Sequence, residues 1–332
     1  MIRGEFEVLF APDAVLSALG LAVFLLFALS AMGAGSVAVL TAFSGRKKTK
    51  VFADKLAKQM AEFGVIVLGL CLILISIRWG LWTFADWEVS SIWRRFYHLF
   101  FDIPGHLAFV ATLTSIIFTR VWKQKKKSSS VHYVLGSLSM LVWLATLMLF
   151  VLGWLETRAD VPMQQMDLHA LPALLLEPLP WLIFAQGLFL GLALAGGMGM
   201  VYLVIRRNRE DYGRDYYAWA VRSCAGRALS SGIVQVFWGV ALYFAATLPW
   251  ADMALRDVGT WSDLAVQALS ASPAFAPMLM FLGLCLLAWI SLIPLIKSQT
   301  PLRLKGMMFV HLLFIAAGLT FLAMAYERML GM

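Results

Sequence analysis

The chain has 332 residues, of which 61% are hydrophobic and only 14% are charged. This composition excludes an ordinary soluble domain of this length and indicates a polytopic membrane protein. The net charge of +8 would suit a nucleic-acid-binding protein, but most basic residues fall in short loops between apolar segments, so we expect the lipid bilayer, and no nucleic acid, as a partner. The three cysteines are widely separated and predict no disulfide framework.

Eight segments have the roughly 20 apolar residues that a bilayer-spanning helix needs. In chain order they are 15–43, 62–83, 97–122, 132–155, 179–205, 226–248, 272–296 and 306–326. We therefore expect an all-α polytopic membrane protein with eight transmembrane helices.

The basic residues predict the orientation of the chain. Four loops, 44–60, 120–130, 206–227 and 297–305, hold 20 of the 27 Lys and Arg residues. Because cytoplasmic loops carry the excess of Lys and Arg, these loops should face the cytoplasm. In a bacterial inner membrane, both termini would then lie on the periplasmic side.

The two halves of the chain repeat the same order of features. Each half opens with a glycine-containing span followed by a basic loop, and each closes with a span that begins near the inner face with a histidine, His132 or His311. This order predicts two tandem four-helix bundles, residues 1–160 and 161–332, related by an axis along the membrane normal. Such bundles commonly hold cofactors between facing helices, although close helix packing alone explains the glycines.

Ionisable residues cluster where the third span begins. His98, Asp102 and His106 are spaced by four, so they share one helical face, and ionisable groups in a span are functional hypotheses by default. His106 could ligate the iron of a b-type haem or hydrogen-bond a quinone, while Asp102 and His98 could accept protons at the membrane edge. Alternatively, His106 bonds a neighbouring carbonyl, Asp102 is stabilised by the helix dipole and His98 is solvated.

Four further residues are candidates for cofactor binding. His132 and His311 occupy matching places in the repeat, which favours a paired role, although core or interfacial histidines need no cofactor. Arg78 and Arg95 could neutralise haem propionates or steer a partner, but for Arg78 snorkelling toward the headgroups is the commoner explanation.

Two glutamines, Gln186 and Gln235, lie within spans, where hydrogen bonding between helices accounts for them. The sequence contains no phosphate-binding loop, zinc signature or Ser/His/Asp arrangement.

Several short runs carry a family resemblance. They are Ser44–Lys47, Phe52–Gln59, Phe101–Pro104, Val131–His132 with Leu135–Leu138, Leu152–Trp154 and the basic stretch Met200–Ser231. Over roughly 200 residues these runs resemble subunit I of the cytochrome bd-type quinol oxidases. The resemblance implies a membrane subunit that handles quinol and haem.

The chain departs from that family at its functional positions. The family holds haem with histidines in its first and fifth helices, and neither span has a histidine here. His106-Leu107-Ala108 stands where the family has an acidic residue, and its long outer quinol-binding loop is missing. The oxygen-reducing site is therefore not implied. Eight spans in two bundles also resemble the NrfD/PsrC quinone-interacting subunits, which lack haem and work beside an iron–sulfur or multihaem partner.

The favoured interpretation is a membrane subunit of a respiratory electron-transfer complex, belonging to a quinol-linked oxidoreductase. It would handle quinol or quinone, b-type haem, or both, and would exchange electrons with a periplasmic or membrane redox subunit, either a multihaem cytochrome or an iron–sulfur protein. A transporter or ion-pathway protein is the second class, and a cofactor-free structural anchor is the third.

Overall fold

The computed structural model describes residues 12–44, 49–84, 99, 102–122, 129–156, 171–210, 212–254 and 274–329. Its helices are α1 (Pro12–Ser44), α2 (Lys50–Phe84), α3 (Ile103–Val121), α4 (Ser129–Glu156), α5 (Leu171–Leu176), α6 (Pro178–Arg206), α7 (Arg214–Ala254), α8 (Phe275–Lys297) and α9 (Lys305–Met329). Within these ranges, eight helices are long and apolar enough to cross a bilayer, namely all of them except α5. The prediction of an all-α multi-pass membrane protein in contact with lipid is confirmed.

The third span begins later than the sequence predicts. Helix α3 starts at Ile103, because the side chain of Asp102 caps its N-terminus by accepting a hydrogen bond from the Ile103 N–H at 2.7 Å. Pro104 follows in the first turn, where a missing N–H costs least.

Helices α2 and α7 instead begin well before the apolar stretches that predict them. Their first residues, Lys50 and Arg214, are exposed, but the next turns are buried: Leu56 and Met60 of α2 and Tyr216 and Tyr217 of α7 are inaccessible. Burial within the bundle accompanies the extension of both helices beyond the apolar stretches.

Each half of the chain closes a ring of helices. In the first half α1 packs on α2, α2 on α3, α3 on α4 and α4 on α1, and in the second half α6, α7, α8 and α9 follow the same order. The two rings meet along α1 and α6, with α9 also against α1 and α4 against α6. The core of the protein is thus continuous across both halves.

Glycines allow α1 and α6 to touch backbone to backbone. A Cβ on Gly33 would lie 2.0 Å from the carbonyl oxygen of Gly191, and a Cβ on Gly191 would lie 2.8 Å from the Cε of Met32. No side chain fits between helices this close, so small residues decide how the two halves meet.

A polar cluster ties α2 to α6 at the end of the molecule that carries the basic loops. Arg206 Nη2 donates to Glu62 Oε2 at 3.0 Å and to Glu210 Oε1 at 2.8 Å. Gln59 Nε2 donates to Glu210 Oε2 at 3.1 Å, and the Tyr216 hydroxyl donates to Gln59 Oε1 at 2.5 Å. These bonds join residues from both halves of the chain.

Candidate functional site

An apolar cavity lies between α1, α4, α6 and α9, where the two halves meet. Its volume is about 260 Å³, and its walls are almost entirely hydrophobic. Phe24 and Met32 line it from α1, Trp143 and Phe150 from α4, and Leu322 from α9. Small-molecule pockets typically occupy roughly 300–1,000 Å³. A cavity near this range inside a membrane is suited to a hydrophobic ligand.

The cavity occupies the half of the molecule that is remote from the basic loops. Its lining on α1 runs from Leu21 to Met32, about 16 Å along the helix at 1.5 Å per residue. On α9 the lining residues lie near the C-terminal end, far from Lys305. The cavity therefore extends over about half of the 30 Å hydrocarbon core of a bilayer.

A buried amide is the main polar group on the cavity wall. Gln186 of α6 is 1% exposed, and its Oε1 accepts a hydrogen bond from the hydroxyl of Tyr326 on α9. Its Nε2 is buried, with no hydrogen-bond partner among the residues the structure describes. An unsatisfied buried donor costs about 1–3 kcal/mol, so this amide N–H has a strong requirement for an acceptor.

The position of this amide depends on a glycine of α7. A Cβ on Gly239 would lie 2.6 Å from Gln186 Nε2, so any larger residue there would displace the amide. The hydroxyl of Thr146, also on the cavity wall, already donates to the carbonyl of Val142 at 2.8 Å. Gln186 is thus the cavity residue with a donor still to be satisfied.

His311 lies at the centre of the second ring, as a buried core histidine. Its Nδ1 is 3.0 Å from the carbonyl oxygen of Ala288 on α8. Because a carbonyl only accepts, Nδ1 carries the proton and Nε2 carries the lone pair. The residue lines a separate cavity of about 20 Å³ enclosed by α6, α7, α8 and α9.

His132 is also buried, but it lies among aromatic rings. Its ring stacks on Phe118 at 4.7 Å between centroids and meets Trp122 edge to face at 4.3 Å. Both histidines therefore contact the third helix of their own half. The paired role predicted from their matching places remains a prediction.

Asp102 and His106 form a local arrangement at the start of α3. The Asp102 carboxylate caps the helix, and Nδ1 of His106 lies 2.8 Å from the Asp102 carbonyl oxygen. The His106 side chain is exposed on the surface of α3. Nothing in these contacts tests a catalytic or cofactor-binding role, so those roles remain predictions.

Three predicted site residues lie wholly or partly beyond the structural description. His98 and Arg95 fall outside the described residues. Arg78 belongs to helix α2, but its side chain is outside the described part of the chain.

The described residues do not fit a b-type haem. Such a haem needs an axial histidine facing a porphyrin-sized space. His132 is enclosed by rings, His311 faces only about 20 Å³, and neither they nor His106 line the large cavity. In the same part of the chain, no group of three or more His, Cys, Asp or Glu side chains could hold a metal ion.

The fold and the cavity define an all-α membrane protein in which two packed rings of four helices enclose a lipophilic space. The solved bd oxidase from Geobacillus thermodenitrificans has a similar structure, with a TM-score of 0.53, covering 96% of this chain and 86% of that chain. The two sequences are 13% identical, so the likeness is one of fold alone. No protein-family model and no curated protein sequence matches the chain.

Proposed function

We propose that this chain is a membrane subunit of a respiratory electron-transfer complex and that it binds quinol or quinone in the cavity between α1, α4, α6 and α9. One observation carries the proposal: an intramembrane apolar cavity is walled by a buried amide, Gln186, whose N–H has no partner among the described residues. A quinone has the complementary chemistry, because its ring and tail are apolar and its oxygens accept hydrogen bonds.

Tyr326 orients the amide for this contact. Its hydroxyl occupies Gln186 Oε1, which leaves Nε2 as the free donor. Nε2 lies beside Gly239, and a displacement of the side chain that keeps Oε1 on Tyr326 would bring the N–H to the cavity. The N–H then donates to a quinone carbonyl or to a quinol oxygen.

Oxidation of a bound quinol to quinone releases two protons and two electrons. We place the electron acceptor on a partner subunit, a multihaem cytochrome or an iron–sulfur protein, because the described residues of this chain do not fit a b-type haem. With the basic loops in the cytoplasm of a bacterium, the cavity lies in the periplasmic half of the inner membrane. The partner therefore docks on the periplasmic side or beside the chain in the membrane.

The sequence-predicted group around His106 offers a second place for quinol at the same end of the molecule. Its other members, His98 and Asp102, would act at the rim of the bilayer, where Arg78 and Arg95 could steer a partner, whereas the cavity lies inside the bilayer. Substitutions at Gln186 in the cavity and at His106 on α3 distinguish the two candidate quinol sites.

Binding of a short-chain ubiquinone or menaquinone analogue to the chain in lipid nanodiscs tests the proposal. Trp143 and Trp154 line the cavity, so a bound quinone should quench tryptophan fluorescence saturably. The variant Gln186→Leu should lose one buried hydrogen bond to the quinone, worth about 1 kcal/mol. Its affinity for quinone should therefore fall roughly fivefold. His106→Ala should bind normally, and so should the control Ser76→Ala, whose hydroxyl bonds its own helix.

Equal binding by Gln186→Leu and the unsubstituted protein would remove the cavity as the quinol site. A loss confined to His106→Ala would move the site to the surface of α3. In the complex purified from its native membrane, quinol-dependent reduction of the partner should decrease with Gln186→Leu. Unchanged reduction would favour a structural anchor, and solute flux into liposomes by the chain alone would favour a transporter.

A further inference from the structure

The centres of the two helix rings differ in how their polar groups are satisfied. In the first ring, Ser115 Oγ donates to the Ala111 carbonyl at 2.8 Å, lies 2.9 Å from Ser139 Oγ and accepts from Trp143 Nε1 at 2.9 Å. The cavity beside this cluster measures about 10 Å³. The polar side chains of this cluster satisfy one another without a further partner.

At the centre of the second ring, one buried acceptor has no donor among the described residues, and a histidine nearby presents a second acceptor. Gln235 of α7 is 2% exposed; its Nε2 points to Cys285 Sγ at 3.8 Å, and its Oε1 has no partner among the described residues. His311 donates from Nδ1 to Ala288, so its Nε2 is an acceptor. A Cβ on Gly197 would lie 2.8 Å from this Nε2, so the glycine leaves the lone pair uncovered toward α6.

Gln235 and His311 both line the cavity of about 20 Å³ in this ring. A cavity holds one water molecule when roughly 10–15 Å³ is open to the centre of a water-sized sphere, and the water needs two to four polar partners. The space therefore has the size of one water, and the residues that line it include two with acceptor atoms, Gln235 and His311.

We propose that the second ring contains a binding site for a single water molecule, which donates one hydrogen bond to Gln235 Oε1 and the other to His311 Nε2. The water connects α7 to α9 across the ring and holds His311 in the tautomer with its proton on Nδ1. The site is independent of quinol binding.

A structure of the full chain in nanodiscs at a resolution that shows ordered water is the direct test. It should contain one peak within hydrogen-bond distance of both acceptors. An empty cavity would overturn the proposal, and so would a metal ion found in stoichiometric amount by elemental analysis and lost in His311→Gln.

Thermal unfolding of Gln235→Leu gives an independent answer. If the water is present, the substitution removes one of its acceptors, and the melting temperature should fall by a few degrees. If the cavity is dry, the substitution removes a buried unsatisfied acceptor, and the melting temperature should stay or rise. Cys285→Ala measures what is lost when the weak contact between Gln235 Nε2 and the Cys285 sulfur is removed. Ser291→Ala is the buried control, because the Ser291 hydroxyl donates to a carbonyl of its own helix at 2.6 Å.

The water site is supported if the melting temperature falls clearly more in Gln235→Leu than in Cys285→Ala and Ser291→Ala. An equal or smaller fall in Gln235→Leu contradicts it. Nitrogen NMR of the labelled histidines adds a readout specific for the bond. The Nε2 resonance of His311 should move toward that of an unbonded lone pair in Gln235→Leu and not in Ser291→Ala. An Nε2 resonance that does not respond would overturn the proposal.

Discussion

The hydroxyl of Tyr326 donates a hydrogen bond to Oε1 of Gln186, a residue 140 positions earlier in the chain. The bond joins the last helix to the first helix of the second half, on the wall of the large cavity. The bond engages the amide oxygen, Oε1, and leaves the amide nitrogen, Nε2, able to donate to a ligand. If the cavity binds quinone as proposed, Tyr326 determines which end of the amide the quinone meets.

Tyr326→Phe should weaken quinone binding several-fold while leaving the cavity open. The substitution removes the donor to Oε1, so the amide can present either end, and the stability should fall by about 1 kcal/mol. Fluorescence quenching measures the affinity, and thermal unfolding measures the stability. If affinity is unchanged while stability falls, Tyr326 is only a structural residue.

Gly239→Ala should weaken quinone binding by displacing the Gln186 side chain. The new Cβ would lie 2.6 Å from Nε2, closer than non-bonded atoms approach. Gly226→Ala on the same helix is the matched control, because a Cβ there meets nothing within 4 Å. Equal affinities for the two variants would show that the position of the amide does not matter for binding.

Gly33→Ala should destabilise the contact between the two halves by about 1–3 kcal/mol, the usual cost of overpacking. Its Cβ would lie 2.0 Å from the Gly191 carbonyl oxygen, and the obstacle is backbone, so the helices themselves must separate. Gly35→Ala, two residues along the same helix, meets nothing within 4 Å and should be tolerated. Thermal unfolding of both variants makes the comparison, and a similar melting temperature for the two would argue against the close approach of α1 and α6.

The fold was predictable because a bilayer imposes a simple rule on length and hydrophobicity. A spanning helix covers most of each of the eight apolar segments, although three of the helices begin at other residues than predicted. The cap that sets the start of α3 involves Asp102, a residue already noted as a possible helix N-terminal carboxylate. The division into two tandem repeats remains a prediction. It is supported by the identical order of helix contacts in the two halves and by the meeting of α1 with α6.

The candidate site was much less predictable. Histidines attract attention in an apolar sequence, yet His132 and His311 are packed in the two rings, and His106 lies on the surface. Gln186 was visible as a polar residue within a span, but nothing in the sequence shows that its amide lacks a partner. A tyrosine near the end of a span, such as Tyr326, is typical of the aromatic residues at the membrane interface. Its hydrogen bond to Gln186 becomes visible only in the structure, where α9 packs on α6.

The polar cluster at the basic end makes stability depend on pH through Glu210. Burial, the largest single influence, raises the pKa of this carboxyl, but hydrogen bonds from Arg206 and Gln59 and the charges of Arg206 and Lys58 together outweigh it. The pKa of Glu210 in the folded protein is therefore below its ordinary value of 4.5. A carboxyl with a lowered pKa stabilises the fold above its unfolded-state pKa, and the stabilisation disappears as the pH falls through the folded-state pKa.

Glu210→Gln should accordingly melt at a lower temperature than the unsubstituted protein at neutral pH, and the difference should close on acidification below the folded-state pKa. The amide cannot form the ion pair with Arg206, which joins Glu210 to Glu62 of α2. Glu177→Gln is the control, since Glu177 is exposed at the other end of α6 and makes no side-chain capping bond. Melting curves in nanodiscs between neutral pH and about pH 3 would measure the difference across the carboxyl titration range. A gap that stays constant over this interval would mean that Glu210 is not stabilised as an ion in the folded protein, and the polar link between α2 and α6 would then be the direct Arg206–Glu62 pair.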